Sequence, residues 1–469
     1  MKRKSILFLN TLVLFFSIVT GCKKLGETVY SQLSPENFFG SKADVDAALS
    51  GMYRPIQACC GGYQQAGTFV LNSASDEGTS ALSQWGQFDN LTYTPAANEL
   101  NDMWTAYYQS IANANFVIDN EAKISAIDNT SGKTLTKAAI GEAKFLRATN
   151  YFLLVQMFGD VPLRITQAKR ADEVDIPRNT ADEVYTQIIA DFKDAEASLP
   201  ATNPAGKPTK WAASAFLAKV YLTKKDYPNA LTKAQEVVTS GAYSLTPTFD
   251  KVFDVNNKNN SEVIFAIQYI RKDQQGMRME PLVLGPGDPF ASGGSGGWGI
   301  SNIENGVYNR YNAVDDRIKT TFSNPAPGQT TYYAGKWRDP AGVSADGHGN
   351  DYIVFRYADL RLILAEAENE VNGPSSVAYT NINAIRNRAL LPNLTAGLTK
   401  DQFRDAVLSE RFFELNFEEV RWFDLKRTGR LKSTLIADGK IWNDKYFLFP
   451  IPQKEIDASN GKIKQNPGY

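Results

Sequence analysis

Histidine occurs once in this chain, at His348, and cysteine three times, at Cys22, Cys59 and Cys60. Zinc centres draw three or four ligands from these residues and carboxylates, so none is expected here. Cys59 and Cys60 are sequence neighbours. Ordinary disulfides place their Cα atoms ~4.4–6.8 Å apart, whereas consecutive Cα atoms sit ~3.8 Å apart. A bridge between them is strained, and two free thiols are an equal reading. No phosphate-cradling glycine loop, nucleophile elbow or His-Glu-x-x-His pattern is present. Asp254-Val-Asn256-Asn-Lys258 begins like a calcium loop, but a lysine replaces an oxygen ligand and the required glycine is missing. No metal and no cofactor are expected. A dominant charge is also lacking. Three of the 50 basic residues lie within the first 21, leaving 47 against 51 acidic ones. Nucleic acid demands a concentrated basic face and is excluded as a partner.

Long apolar runs are absent except at the N-terminus, where Lys2, Arg3 and Lys4 precede ILFLNTLVLFFSIV and the small-residue exit Thr20-Gly21-Cys22. This is the pattern of a secretory signal peptide, too short for a comfortable transmembrane helix. The cysteine after VTG resembles the lipobox of bacterial lipoproteins. The expected organisation is a signal peptide over 1–21, lipidation of Cys22 and a single domain over 22–469. Acyl chains then hold the mature chain on a membrane.

What is abundant is aromatic side chain, with 26 Phe, 21 Tyr and 7 Trp, and helical periodicity. Val45, Ala48, Leu49 and Met52 share one helical face after the cap signal Ser41-Lys-Ala-Asp44. Trp104, Tyr108, Ile111, Asn115 and Ile118 repeat the pattern. Thr180-Ala-Asp-Glu183 predicts another capped helix, continued by Val184 and Ile188. Leu360, Ile363, Leu364, Ala367 and Val371 mark one more, and Leu408, Phe412 and Leu415 a further one. In SAFLAKVYLTKKDYPNALTKAQEVV, Leu217, Ala218, Tyr221 and Ala230 stand where a tetratricopeptide repeat places its Leu, Gly, Tyr and second-helix Ala. The fold class expected is mostly α: a solenoid-like stack of helical hairpins with a few short strands, among them SEVIFAIQY. Two long excursions break the helical rhythm, at about 60–100 and 270–350. Such stretches are the natural place to look for a site.

Several segments carry a resemblance to a known family. GEAKFLRATNYFLLVQMFGDVPL, SEVIFAIQY, DYIVFRYADLRLILAEAENE, SERFFELNFEEVRWFDLKRTG and YFLFPIPQKEIDASNGKIKQNPGY are similar to segments of the SusD/RagB family of outer-membrane nutrient-binding lipoproteins of Bacteroidota, and they occur in family order. The resemblance implies four tetratricopeptide-like units and a place on the cell surface. It also implies a partner, a SusC-like TonB-dependent β-barrel transporter over which the protein forms a lid. The ligand implied is an oligosaccharide, or in some members a peptide, and the role is binding rather than catalysis.

The residues agree with a binding role. Asp76 and Glu77 are adjacent carboxylates, which project differently and do not flank a glycosidic bond as a hydrolase pair must. In SERFFELNFEEVRWFDLKRTGR the bases Arg411, Arg421, Lys426 and Arg427 are balanced by Glu410, Glu414, Glu418 and Glu419, so the segment reads as packed helix with ion pairs. Trp104 and Trp211 lie on amphipathic helices and are expected in the core. His348 is expected in a solvated loop. Sugar rings offer flat C–H faces to aromatic rings and hydroxyl edges to amides and carboxylates. Loop aromatics beside such groups are therefore the candidates for glycan stacking. They are Trp85, beside Gln84, Gln87 and Asp89, and Trp298 in ASGGSGGWGI, near Asn302. Tyr63 and Trp337, with Tyr332 and Tyr333, form a second tier.

Overall fold

Ser41 accepts a hydrogen bond from the Asp44 amide and starts helix α1 (Lys42–Gln57), whose Val45, Leu49, Met52 and Ile56 are buried. In the computed structural model, residues 38–469 are described except 59–60, 81, 169, 171–172, 174, 287, 289–296, 305 and 324–330. The signal segment 1–21, Cys22, Cys59, Cys60 and most of the Gly-Ser run before Trp298 lie outside the described residues. Residues Ser41–Tyr469 form one compact unit.

Eight further long helices follow: α2 (Asn98–Asp119), α3 (Thr134–Phe158), α4 (Ala181–Ser198), α5 (Lys210–Thr223), α6 (Tyr227–Ser240), α7 (Tyr357–Asn372), α8 (Ser376–Arg388) and α9 (Lys400–Leu415). Each packs against the next in sequence, with α9 returning to α7 as well as α8. Thr180 caps α4 in a complete capping box with Glu183. The turn between α5 and α6 is equally local in origin. Lys225 takes a positive φ of 60°, Asp226 accepts from the Asn229 amide, and Pro228 sits in the first turn, where its missing N–H costs nothing. Leu217, Ala218 and Ala230 are fully buried and Tyr221 nearly so, as the repeat spacing requires. The protein is thus mostly helical with a few short strands. No helix among the described residues is long and apolar enough to cross a membrane.

The strands lie outside the helical succession. β2 (Val263–Ile267), the strand expected in SEVIFAIQY, pairs antiparallel with β6 (Tyr352–Arg356), which runs directly into α7. A second sheet has the order β1-β3-β5-β4, built from Gly78–Ser80, Ser301–Ile303, Tyr333–Ala334 and Phe322–Ser323. The first excursion is not the open loop its composition suggests. Gly61 to Gly78 is buried almost throughout and turns in short helical pieces. Its glycines serve close approach: a Cβ on Gly62 would lie 2.3 Å from the Tyr107 ring, and one on Gly67 2.6 Å from the Glu419 carboxylate.

Charged residues are buried in quantity where the helices meet the strands. Arg356 donates to Glu414 at 2.6 Å, to Glu262 at 2.8 Å and to Glu418 at 2.7 Å. Arg317 reaches Glu410 at 2.7 Å, and Arg388 pairs with both Glu262 and Glu414. Arg411 joins Asp359 at 2.7 Å to Asp424 at 2.6 Å. Burial alone would raise the Glu414 carboxyl, but Arg388, Arg356 and Arg317 reverse this and hold it well below the ordinary range. The charge-rich segment after Ser409 is therefore packed, with Trp422 1% exposed, as its balanced composition implies.

Candidate ligand-binding site

The pairing of β1 with β3 joins the two excursions, although more than 200 residues separate them in sequence. Ser80 lies opposite Ser301, Thr79 opposite Asn302 and Gly78 opposite Ile303. In this antiparallel register the chain leaving β1 passes the chain entering β3. The short helix Ser83–Asp89 and the Trp298 segment therefore lie at one end of the sheet. Ser80 also donates to the Ile300 carbonyl at 3.0 Å.

At that end Trp298 is 38% exposed, a large exposure for an indole. Its backbone is fixed. The Trp298 amide donates to Pro281 at 2.7 Å, Gly299 to Leu284 at 2.8 Å and Ile300 to Leu282 at 3.0 Å. The flanking glycines allow this approach. A Cβ on Gly297 would stand 2.2 Å from the Gly285 carbonyl, and Gly299 has a φ of +60° with the Tyr333 ring 2.6 Å from where a Cβ would be. The guanidinium of Arg278 lies 5.7 Å from the indole centroid and pairs with Asp346 at 3.0 Å. The Arg278 amide donates to Gln64 at 2.8 Å. Gln84 is exposed and Gln87 half-buried, its amide turned to the Gln84 carbonyl. Asn302 is half-buried in the middle of the sheet, with its Oδ1 left without a hydrogen-bond partner.

The other candidates are placed differently. Trp85 is 7% exposed: its ring stacks on Phe69 at 3.9 Å and 5°, and its Nε1 donates to Glu99 at 2.7 Å. Phe69 thus takes the face a sugar would need. Tyr63 is 3% exposed between Tyr107 and Tyr352, and Trp337 is 4% exposed. These three are core aromatics in this fold, as is Tyr333 beneath Gly285 and Gly299. Asp89 accepts from Thr79 and pairs with Lys440, so its carboxylate is already engaged. His348 is buried at a bridge to Met277 rather than solvated.

Two aromatic features were missed or underrated. Tyr332, half-buried, stacks on Tyr308 at 4.0 Å and 6°. Its sequence neighbour Tyr333 is buried against Gly285 and Gly299 instead. Trp211 is half-buried in a surface groove instead of the core. Nothing in the local sequence separates Tyr308 from any other helical tyrosine.

The acidic pair Asp76–Glu77 is structural. Burial would raise the Asp76 carboxyl, but Arg421 and Arg310 grip it bidentately and from the side and hold it below its usual value. Glu77 is pushed up to about 8 by burial, which the Arg421 charge offsets in part. It accepts from Asn416 at 3.1 Å and from the Phe417 amide at 3.3 Å. Asp254 is engaged by the Asn256 amide and Lys251, and Lys258 pairs with Asp351.

A helical array with a small sheet gathering its two excursions is an architecture shared with solved proteins. A SusD superfamily protein of Parabacteroides distasonis superposes with a TM-score of 0.80 at 25% identity, over 93% of this chain and 100% of that one. A laminarin-binding SusD-like protein superposes with a TM-score of 0.78 at 25% identity, over 91% and 99%. The SusD-like protein P2 of Formosa agariphila is 31% identical over the full length of both chains. Residues 307–469 match the SusD family model, and residues 25–222 match a model described as starch-binding, associating with outer membrane. The chain belongs to the SusD family.

Proposed function

We propose that the protein is a cell-surface binding lipoprotein, held on the outer membrane through Cys22, that captures oligosaccharides and passes them to a SusC-like TonB-dependent β-barrel transporter. In this reading residues 1–21 are the signal peptide and 22–469 the functional domain. The observation that carries the ligand class is Trp298: an indole bared to solvent on a backbone pinned by three hydrogen bonds. Exposing that apolar area in water gains nothing for the fold, and a rigid aromatic stacks on a sugar face with little entropy to lose. In this reading the guanidinium of Arg278, 5.7 Å from the indole centroid, and the exposed Gln84 of the helix at the same end of the sheet are the groups that meet sugar hydroxyls. The outer-membrane description of the matched model and the laminarin-binding relative support the same reading. A peptide ligand is the alternative, held at the same end of the sheet.

Screening the purified protein against a glycan array and a mixed peptide library separates the two. Trp298→Ala is expected to weaken glycan binding about tenfold, a loss of ~1.4 kcal/mol, with the melting temperature unchanged. Retention of peptides with no glycan bound overturns the assignment.

A further inference from the structure

Gln64 and Thr68 stand one helical turn apart in the first excursion, and both reach the segment from which Trp298 hangs. Gln64 accepts from the Arg278 amide at 2.8 Å, and the Thr68 hydroxyl lies 2.7 Å from the Met279 sulfur. Met279 is fully buried and opens the short helix Met279–Val283, whose Pro281 and Leu282 carbonyls receive the Trp298 and Ile300 amides. The same Thr68 oxygen lies 3.0 Å from Glu419 Oε1. A threonine hydroxyl has one proton to give, so it cannot donate to the sulfur and the carboxyl together. With Glu419 protonated, the carboxyl donates to Thr68 and leaves the hydroxyl proton for Met279. With Glu419 ionised, the carboxylate takes that proton, because a hydrogen bond to a charged group is about twice as strong as a neutral one.

We infer that Glu419, acting through Thr68 and Met279, is a positioning residue for Trp298, so that glycan binding at the indole is linked to one proton held in the core. The inference rests on the proposed glycan reading of that site. The Glu419 backbone is left-handed, with a φ of 61°, a strain that persists only where the surroundings hold a residue in place. A Cβ on Gly67 would clash with its carboxylate, so the first excursion lies directly against it. Tyr63, Tyr107, Tyr269 and Tyr352 are the titratable groups coupled to it, and burial keeps all four phenols neutral. Among the described residues no charge offsets its burial, which pushes the carboxyl up to about 8. Lys219, Arg411, Asp424 and Arg427 share with it the lining of a cavity of about 60 Å³, but each is already in an ion pair. Glu418 is likewise met by Arg356 and Lys336, and Arg278 by Asp346. The cavity leaves room for water to exchange the proton.

The test titrates laminarin and starch into the unaltered protein, Glu419→Gln, Thr68→Val and Thr68→Ser between pH 6 and pH 9. The fluorescence that Trp298→Ala removes is followed over the same range without ligand. Affinity of the unaltered protein is expected to fall about fivefold as pH rises through 8, with a matching change in Trp298 emission and constant helical circular dichroism. Glu419→Gln and Thr68→Val are expected to show no such fall, and Thr68→Ser to recover it. A flat profile in the unaltered protein, a fall that persists in Glu419→Gln, or one that appears only as helical circular dichroism is lost overturns the inference. Thr68→Val leaves Glu419 in place, so an unaltered profile in that variant overturns it even where Glu419→Gln does not fold. If neither polysaccharide binds at pH 7 the glycan reading fails, and the ligand-free fluorescence profile still decides whether Glu419 positions the indole.

Discussion

Burial raises the Glu419 carboxyl to about 8, because its neighbours Thr68 and Tyr352 offer hydrogen bonds but no counter-charge. Tyr63 and Tyr107 close the same pocket. The folded chain therefore keeps the proton, whereas the unfolded chain gives it up from about 4.3. The stability this group contributes is fully present below that value and is lost as pH rises through 8. Glu419→Gln holds the neutral form at every pH. The variant is expected to gain on the unaltered protein steadily from pH 5 to about pH 8 in urea unfolding, and the gain to level off above that. A difference between the two proteins that stays flat across that range contradicts the assignment. At the same scale, Trp85 and Trp298 show why a site residue is hard to read from sequence. Both stand beside glycine and polar groups. The exposure of each is decided by what arrives from elsewhere: Phe69 and Glu99 cover Trp85, while the Pro281–Leu284 backbone pins Trp298 from behind. Trp85→Ala is accordingly expected to cost about 3–5 kcal/mol of stability, measured by chemical unfolding, where Trp298→Ala costs little.

At the scale of elements, the helices were legible because their signals are local. A capping residue, a period of 3.6 and a stop lie within one stretch of chain, and Ser41 and Thr180 both cap where the pattern predicts. Thr180→Ala removes one half of the box on α4 and leaves the Glu183 amide unpaired. The expected loss is about 1 kcal/mol, visible as a small drop in melting temperature with ligand affinity retained. The strands were less legible. β1, β4 and β5 are two or three residues long, too short for an alternating pattern, and their partners lie far away in sequence. Glycine misled for a related reason. Gly62 and Gly67 look flexible from composition alone, yet here Gly62 lets Tyr107, and Gly67 the Glu419 carboxylate, press against the backbone.

For the whole molecule, the buried ion network is what ties the helical array to the strands and to the segments that carry the site. Glu262 precedes β2, Arg356 ends β6, Arg388 ends α8, Glu410 and Glu414 come from α9, and Arg317 and Lys336 come from the second excursion. Glu414 stands at its centre, touched by three arginines. Replacing an intact buried network by apolar groups can be neutral, but removing one partner leaves charges buried without compensation. Glu414→Gln is therefore expected to cost about 3–5 kcal/mol in chemical unfolding, far more than the surface pair Lys42–Asp46, worth under about 1 kcal/mol. The pH dependence has the opposite sign to that of Glu419. Glu414, Glu418, Asp359 and Asp424 all have carboxyls held below their ordinary values, so the stability they contribute is present above about pH 4–5 and is lost as the pH falls further. The unaltered protein is expected to unfold in acid as one transition, because scaffold and site share these carboxylates. Glu414→Gln should shift that transition to higher pH. Two separate acid transitions, one in the part of the tryptophan fluorescence that Trp298→Ala removes and one in helical circular dichroism, would show that the network does not couple them.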